Sequence, residues 1–185
     1  TMQELIDYAR KNPGKLNFGS AGIGGIPHLS TERFLSMTGL QMIHVPYKGT
    51  ALAMPDLMAG RLDMMFDSIS AALPHIKDGK IRALAVTSPK PSSAAPDLPL
   101  LSQTVPGYES LTWFGVFGPA GLPASIVTKL NTALNKTLTH STLLEQLSKL
   151  GFDAGGGSPA DFANKLRDET AMWKKVIEDG KITLE

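Results

Sequence analysis

The amino-acid sequence predicts an α/β fold with a mostly parallel sheet. Helical patterns alternate with short apolar runs in the first half of the 185 residues, and each apolar run ends in small or polar residues. Such alternation is typical of the strand–helix units that build parallel sheets. Apolar residues make up 42% of the chain and charged residues 19%. This composition is sufficient for one buried core or for two small lobes.

Start and stop signals place the elements of the first half. Asn12-Pro13-Gly14 closes the first helix, Pro27 suits the first turn of the second helix, and Gly39 ends it. In chain order we predict a helix over 2–11, a strand over 15–20, the Pro27 helix, a strand over 41–47, a helix over 50–59, a strand over 62–67, a helix over 68–77 and a strand over 81–87.

The alternation stops after the fourth strand. Residues 88–99 hold four prolines, which predicts an exposed loop. Beyond it we predict a buried strand over 111–117, with Trp113 and Phe114 in the core, a long helix from Pro123 and a helix over 159–179. A boundary between two lobes is predicted near Pro106-Gly107.

Bulk properties exclude several classes of function. The formal charge is +1 and no basic run occurs, so we expect no nucleic-acid partner. Cysteine is absent, and the four histidines have no metal-ligand spacing, so we expect no metal and no cofactor. We interpret the histidines as capping or surface residues. No apolar run approaches the ~20 residues of a membrane-spanning helix, which predicts a soluble chain whose export signal is missing or removed.

The loop after the first strand carries the most informative pattern. In open α/β sheets, ligands bind beyond the carboxyl ends of the strands, where loops meet helix N-termini. Gly22, Gly24 and Gly25 let the backbone approach a ligand and leave amides open, which predicts an anion cradle. The alternative is a tight turn that only packs the helix on the sheet. The pattern is neither GxGxxG nor a Walker loop, so nucleotide binding is disfavoured.

Other reactive residues form weaker patterns. Ser20, His28 and Asp67 suggest a triad, but no GxSxG elbow surrounds the serine, so hydrolase chemistry is disfavoured. Lys48 is either a Schiff-base lysine or, as we expect, a solvated or hydrogen-bonding one. Asp67 closes an apolar run; it orients a ligand hydroxyl or amine, or it caps the helix that begins near Ser68. The sequence leaves both roles open.

Several long motifs, in order across nearly the whole chain, resemble one family. They are GSAGIGGIPHLSTERF, HVPYKGT, PDLMAGRLDMMFD, ALPHIKDGKIRALAVTS, LPLLSQTVPGYE, FGVFGPAGLPASIVTKLN and GGGSPADFA. They are similar to the Bug-type extracytoplasmic solute-binding receptors of tripartite tricarboxylate transporters. The resemblance implies a type II periplasmic binding protein fold, a small carboxylate ligand, a periplasmic location, membrane permease subunits as partners and no enzymatic activity.

The resemblance also implies the contacting residues. They lie in three loops, and they are Ser20, Ala21, Gly22, Gly24, Gly25, Lys48, Gly49, Thr50 and Asp67. Two positions depart from the family pattern. Gly25 stands where Ser or Thr is usual, and Leu52 stands where proline is common.

Family members carry a further N-terminal segment before this region. The resemblance therefore implies one complete lobe, 12–106, and the returning elements of an incomplete second lobe, 107–185, with helix 1–11 crossing between lobes. We expect such a chain to bind carboxylates weakly and to self-associate. The alternatives are the effector domain of a transcription regulator, which would need a helix-turn-helix that is not found before Met2, and a small-molecule hydrolase.

Overall fold

A computed structural model describes residues 1–183 of the chain, so the last two residues of the predicted 107–185 region, up to Glu185, lie outside it. The elements are α1 (Met2–Lys11), β1 (Asn17–Ser20), α2 (Ile26–Thr38), β2 (Ile43–Pro46), α3 (Thr50–Met58), β3 (Met64–Met65), α4 (Ile69–Lys77), a 3-10 helix (Leu101–Gln103), α5 (Ala124–Thr137), α6 (Ser141–Lys149) and α7 (Pro159–Asp179). None of the helices in this part of the chain has the length and apolar character needed to cross a bilayer.

The strands form one parallel sheet in the order β2-β1-β3. The central strand aligns Phe18 with His44 on one side and with Met64 on the other. Because all three strands run in the same direction, their carboxyl ends meet at one edge of the sheet. The predicted α/β class is confirmed, although each strand is shorter than the sequence suggested.

Helix boundaries follow the local signals closely. Pro27 lies in the first turn of α2, and Gly39 follows that helix with φ of 67°, a left-handed conformation that favours glycine. The helix from Pro123 ends at Thr137, and the separate helix α6 follows it.

The predicted strand over 81–87 is wrong. Val86 forms a single parallel bridge to Leu100: its amide donates to the Pro99 carbonyl at 2.9 Å, and its own carbonyl accepts the Leu101 amide at 2.8 Å. The pairing ends there because Leu101 begins the 3-10 helix, whose backbone leaves the ladder.

The predicted buried strand over 111–117 is also wrong. The segment has no strand assignment, and Phe114 and Phe117 are 81% and 66% exposed. Trp113 is half-buried, and its indole N–H donates to Glu169 Oε2 at 2.7 Å. A strand needs a hydrogen-bonded neighbour, and residues 1–183 provide none for this segment. A largely apolar groove of about 630 Å³ is lined by residues of this segment, of the start of α2 and of α7.

The core lies entirely in the first 108 residues. Its buried members include Phe18, Phe34, Leu101 and Tyr108, and α1 contributes three apolar side chains to the same cluster. After Ser110 no side chain in the described part of the chain is buried. Burial of apolar surface therefore stabilises the sheet and its first helices much more than α5 to α7.

Buried hydrogen bonds join residues 107–110 to α2. The Tyr108 hydroxyl donates to the Ser30 carbonyl at 2.8 Å, and the Ser30 and Ser110 hydroxyls lie 2.6 Å apart. An exposed bond joins them as well, in which Arg33 Nη2 donates to the Gly107 carbonyl at 3.2 Å. Burial raises the pKa of Tyr108, so its hydroxyl stays protonated and keeps its role as a donor.

Candidate functional site

Loops that follow the three strands lie side by side at the carboxyl edge of the sheet. The Tyr47 amide donates to the Ser20 carbonyl at 3.1 Å, and a Cβ placed on Gly22 would lie 3.4 Å from the Tyr47 carbonyl oxygen. The Thr50 hydroxyl lies close enough to Asp67 to influence its pKa. The fold thus brings together the three loops that the sequence singled out.

In the glycine loop, residues 20–25, three amides form hydrogen bonds within the protein and hold the loop in its conformation. The Gly22 amide donates to Ser20 Oγ at 3.1 Å, the Gly24 amide to His28 Nδ1 at 3.1 Å, and the Gly25 amide to the Gly22 carbonyl at 3.4 Å. These glycines therefore shape the loop.

Other amides at the same place remain open. Among the described residues, the amides of Ala21, Ile23, Ile26 and His28 donate to no protein group. Ile26 and His28 lie in the first turn of α2, where the helix dipole favours a negative charge. The loop therefore provides hydrogen-bond donors for an anion: two of its own amides and the amides at the start of α2.

Two glycines of the loop adopt conformations that side chains disfavour. Gly22 has φ of 131° and Gly24 φ of 75°. Gly25, by contrast, has φ of −70° and is the N-cap of α2, without a side chain to bond the helix start. A Cβ there would make an ordinary contact 3.5 Å from the Gly22 carbonyl. The backbone thus tolerates the serine or threonine that is usual at this position in the resembled family.

Two histidines stack behind the glycine loop. The rings of His28 and His44 lie parallel at 3.9 Å between centroids, and His44 also stacks on Phe18 at 4.8 Å. Burial is the main cause, followed by the proximity of the His28 ring, and together they lower the pKa of His44 to about 4, so His44 is neutral at physiological pH. His28 is 4% exposed, so its interpretation as a surface residue is wrong, although it does cap a loop amide.

Ser20 does not form the imagined triad. Its hydroxyl lies 2.6 Å from Nε2 of His44, whereas His28 bonds Gly24 and Asp67 bonds the Ser68 amide. Ser20 is 0% exposed, so its oxygen is out of reach of a substrate. The geometry suits a structural serine rather than a nucleophile.

The second loop leads into α3. Gly49 has φ of 119° and is the N-cap of α3, Thr50 is its first residue, and Lys48 is exposed, as expected of a solvated lysine. Sequence reasoning gave Tyr47 no role. Its hydroxyl donates to Asp56 Oδ2 at 2.6 Å and so fastens the loop to α3.

Asp67 has one bonded and one unbonded oxygen. Oδ1 accepts the Ser68 amide at 2.8 Å, whereas the buried Oδ2 has no hydrogen-bond partner in the described chain. Burial raises the pKa of Asp67, and the Ser68 amide and Thr50 hydroxyl partly oppose this effect. The first oxygen bonds beside the start of α4, and the second is buried without a hydrogen-bond partner in the described chain. No group of three or more potential metal-ligating residues occurs within residues 1–183.

Sequence comparisons identify relatives over almost the whole chain. The model of the tripartite tricarboxylate transporter family receptors matches residues 1–182. A UPF0065 protein of a Pseudomonas species is 39% identical over 181 residues, which are 97% of this chain and 54% of the relative. Another, from Pseudomonas knackmussii, is 40% identical over 159 residues, covering 85% of this chain and 94% of the relative. The chain spans about half the length of most curated relatives it matches.

Solved structures share the fold. An R. palustris protein with adipate is 40% identical with a TM-score of 0.82, covering 99% of this chain and 62% of that protein. BugD, a periplasmic binding protein, is 30% identical with a TM-score of 0.76, covering 100% and 62%. MatC of Rhodopseudomonas palustris with bound malate is 28% identical with a TM-score of 0.74, covering 95% and 61%. The periplasmic binding protein fold predicted from the motifs is confirmed.

Proposed function

Because this chain belongs to the tripartite tricarboxylate transporter receptor family, we propose that it binds a small carboxylate and catalyses no reaction. The receptor acts in the periplasm and delivers its ligand to the membrane permease subunits of a tripartite transporter. The ligand class includes dicarboxylates, tricarboxylates and acidic amino acids.

The observation that carries this proposal is the set of open amides in and beside the glycine loop. Ala21, Ile23 and the first turn of α2 offer N–H donors with no competing acceptor in the described chain. A hydrogen bond to a charged group contributes about 1.5 to 3 kcal/mol, so two or three hold a carboxylate without an arginine. The exposed Lys48 adds positive charge at the same edge of the sheet.

Lys48, Gly49, Thr50 and Asp67 complete the proposed site. Gly49 and Thr50 lie at the start of α3 and offer a second helix N-terminus to the ligand. The Asp67 carboxylate accepts a hydrogen bond from a ligand hydroxyl or amine after a side-chain rotation that exposes Oδ2, which is buried and has no partner in the described chain. Adipate and malate, present in structures of two related proteins, represent ligands without and with such a donor.

Ligand binding is tested by thermal unfolding and calorimetry with adipate, malate, succinate, citrate and glutamate. A ligand present at 100 times its Kd adds about 2.7 kcal/mol to the free energy of unfolding. Adipamide, the uncharged diamide of adipate, is the matched control and is expected to produce no shift. If no carboxylate stabilises the chain, or if adipamide stabilises it equally, carboxylate capture is the wrong function.

A further inference from the structure

The glycine loop alternates bonded and open amides. Gly22 and Gly24 donate to side chains, whereas the amides between and before them, of Ile23 and Ala21, donate to no group in the described chain. The acceptors are buried: Ser20 Oγ takes the Gly22 amide, and His28 Nδ1 takes the Gly24 amide. The side chains of Ser20 and His28 therefore determine which loop amides stay free for a ligand.

The contact with Gly24 fixes the tautomer of His28. A neutral imidazole has one acceptor nitrogen, so Nδ1 carries no proton and the proton is on Nε2. Nε2 lies 3.5 Å from Glu32 Oε1, on the next turn of α2. His44, from β2, stacks on the ring, and it also contacts Ser20 Oγ. Glu32 and His44 are the titratable groups that face His28 from the helix and from the sheet.

We propose that His28 and Ser20 are positioning residues for carboxylate binding, which hold the glycine loop so that the Ala21 and Ile23 amides stay open to the ligand. Three glycines give an unconstrained loop many conformations, and ordering the loop on binding would weaken affinity. Acceptors already in place remove part of that entropic cost. The part of this inference that concerns carboxylate binding by the Ala21 and Ile23 amides rests on the proposed function.

A pair of substitutions at one position separates the acceptor from the bulk of the ring. His28→Asn puts an amide oxygen near the position of Nδ1, whereas His28→Leu fills similar space without an acceptor. Residue-resolved hydrogen exchange on the unliganded chain is expected to show a slow Gly24 amide, about tenfold faster exchange in His28→Leu, and recovery in His28→Asn. The Ala21 and Ile23 amides exchange fast in all three proteins.

Affinity follows the same order. His28→Leu is expected to bind adipate about threefold to tenfold more weakly, and His28→Asn close to the unsubstituted chain. Equal losses in both variants, or Gly24 exchange that ignores His28→Leu, would overturn the inference. If His28→Leu fails to fold, Ser20→Ala takes its place, with the Gly22 amide as the reporter. Should the unsubstituted chain bind no carboxylate, the proposed function fails while the exchange pattern still decides the positioning role.

Discussion

Gly24→Val is expected to abolish carboxylate binding while the chain stays folded. Gly24 has φ of 75°, where a non-glycine residue costs about 1 to 2 kcal/mol and a β-branched one is a severe outlier. The loop relieves this strain by changing conformation, which breaks the bond from the Gly24 amide to His28 and moves both ligand-facing amides, those of Ala21 and Ile23. Loss of two hydrogen bonds to a carboxylate amounts to about 3 to 6 kcal/mol, so affinity falls more than about 100-fold.

Gly39→Val is the matched control for this prediction. Gly39 has φ of 67° and no neighbour within 4 Å of an added Cβ, and it lies at the far end of α2 from the loop. Both variants are expected to lose similar stability, about 1 to 2 kcal/mol of the 5 to 15 typical of a domain. Denaturant unfolding measures the stability, and calorimetry with adipate measures binding. Binding retained by Gly24→Val, or lost equally by Gly39→Val, would refute the reasoning.

Further predictions concern the third loop, the helix cap and the exposed aromatic segment. Asp67→Ala is expected to weaken malate, which bears a hydroxyl, more than succinate in calorimetry; equal losses would mark Asp67 as structural. Because burial raises the pKa of Asp67 above 3.8, the folded state holds this proton more tightly than the unfolded state and loses stability as pH rises through that window. Asp67→Asn should therefore stabilise the chain at pH 7 and lose this gain near pH 3; denaturant midpoints that shift equally at both pH values contradict the role of burial. Gly25→Ser supplies a side-chain cap to α2 and is expected to add a few tenths of a kcal/mol, measured by thermal unfolding. Because Phe114 and Phe117 are exposed, the chain is expected to self-associate, and replacing both by serine should reduce the association seen by light scattering. A monodisperse monomer before the substitutions would contradict this expectation.

Local signals predicted those elements whose causes are local. Pro27 and Gly39 delimit α2 through the backbone preferences of single residues, and the three sheet strands follow from short apolar runs that end in small or polar residues. The glycine loop was found for the same reason. Left-handed conformations at Gly22 and Gly24 need glycine, and the sequence displays that need directly.

Elements that depend on a distant partner were not predictable in this way. The run over 111–117 has the apolar character of a strand, but a strand exists only beside another strand, and the run itself does not reveal its neighbour. The hydrogen bond from the Gly24 amide to His28 was not predicted because the spacing of the histidines was interpreted only in terms of metal binding. A histidine four residues after a loop glycine, in the first turn of a helix, was the available signal.

The buried bonds between residues 107–110 and α2 have a mechanical consequence. Any rotation about the predicted boundary at Pro106-Gly107 would have to separate Tyr108 from Ser30 and leave buried donors unpaired, at about 1 to 3 kcal/mol for each. Beyond Ser110 no side chain is buried in the described part of the chain, so we expect bending to start there. In that case α2 turns together with the sheet as a single rigid piece, and the pivot of a closing motion lies after Ser110.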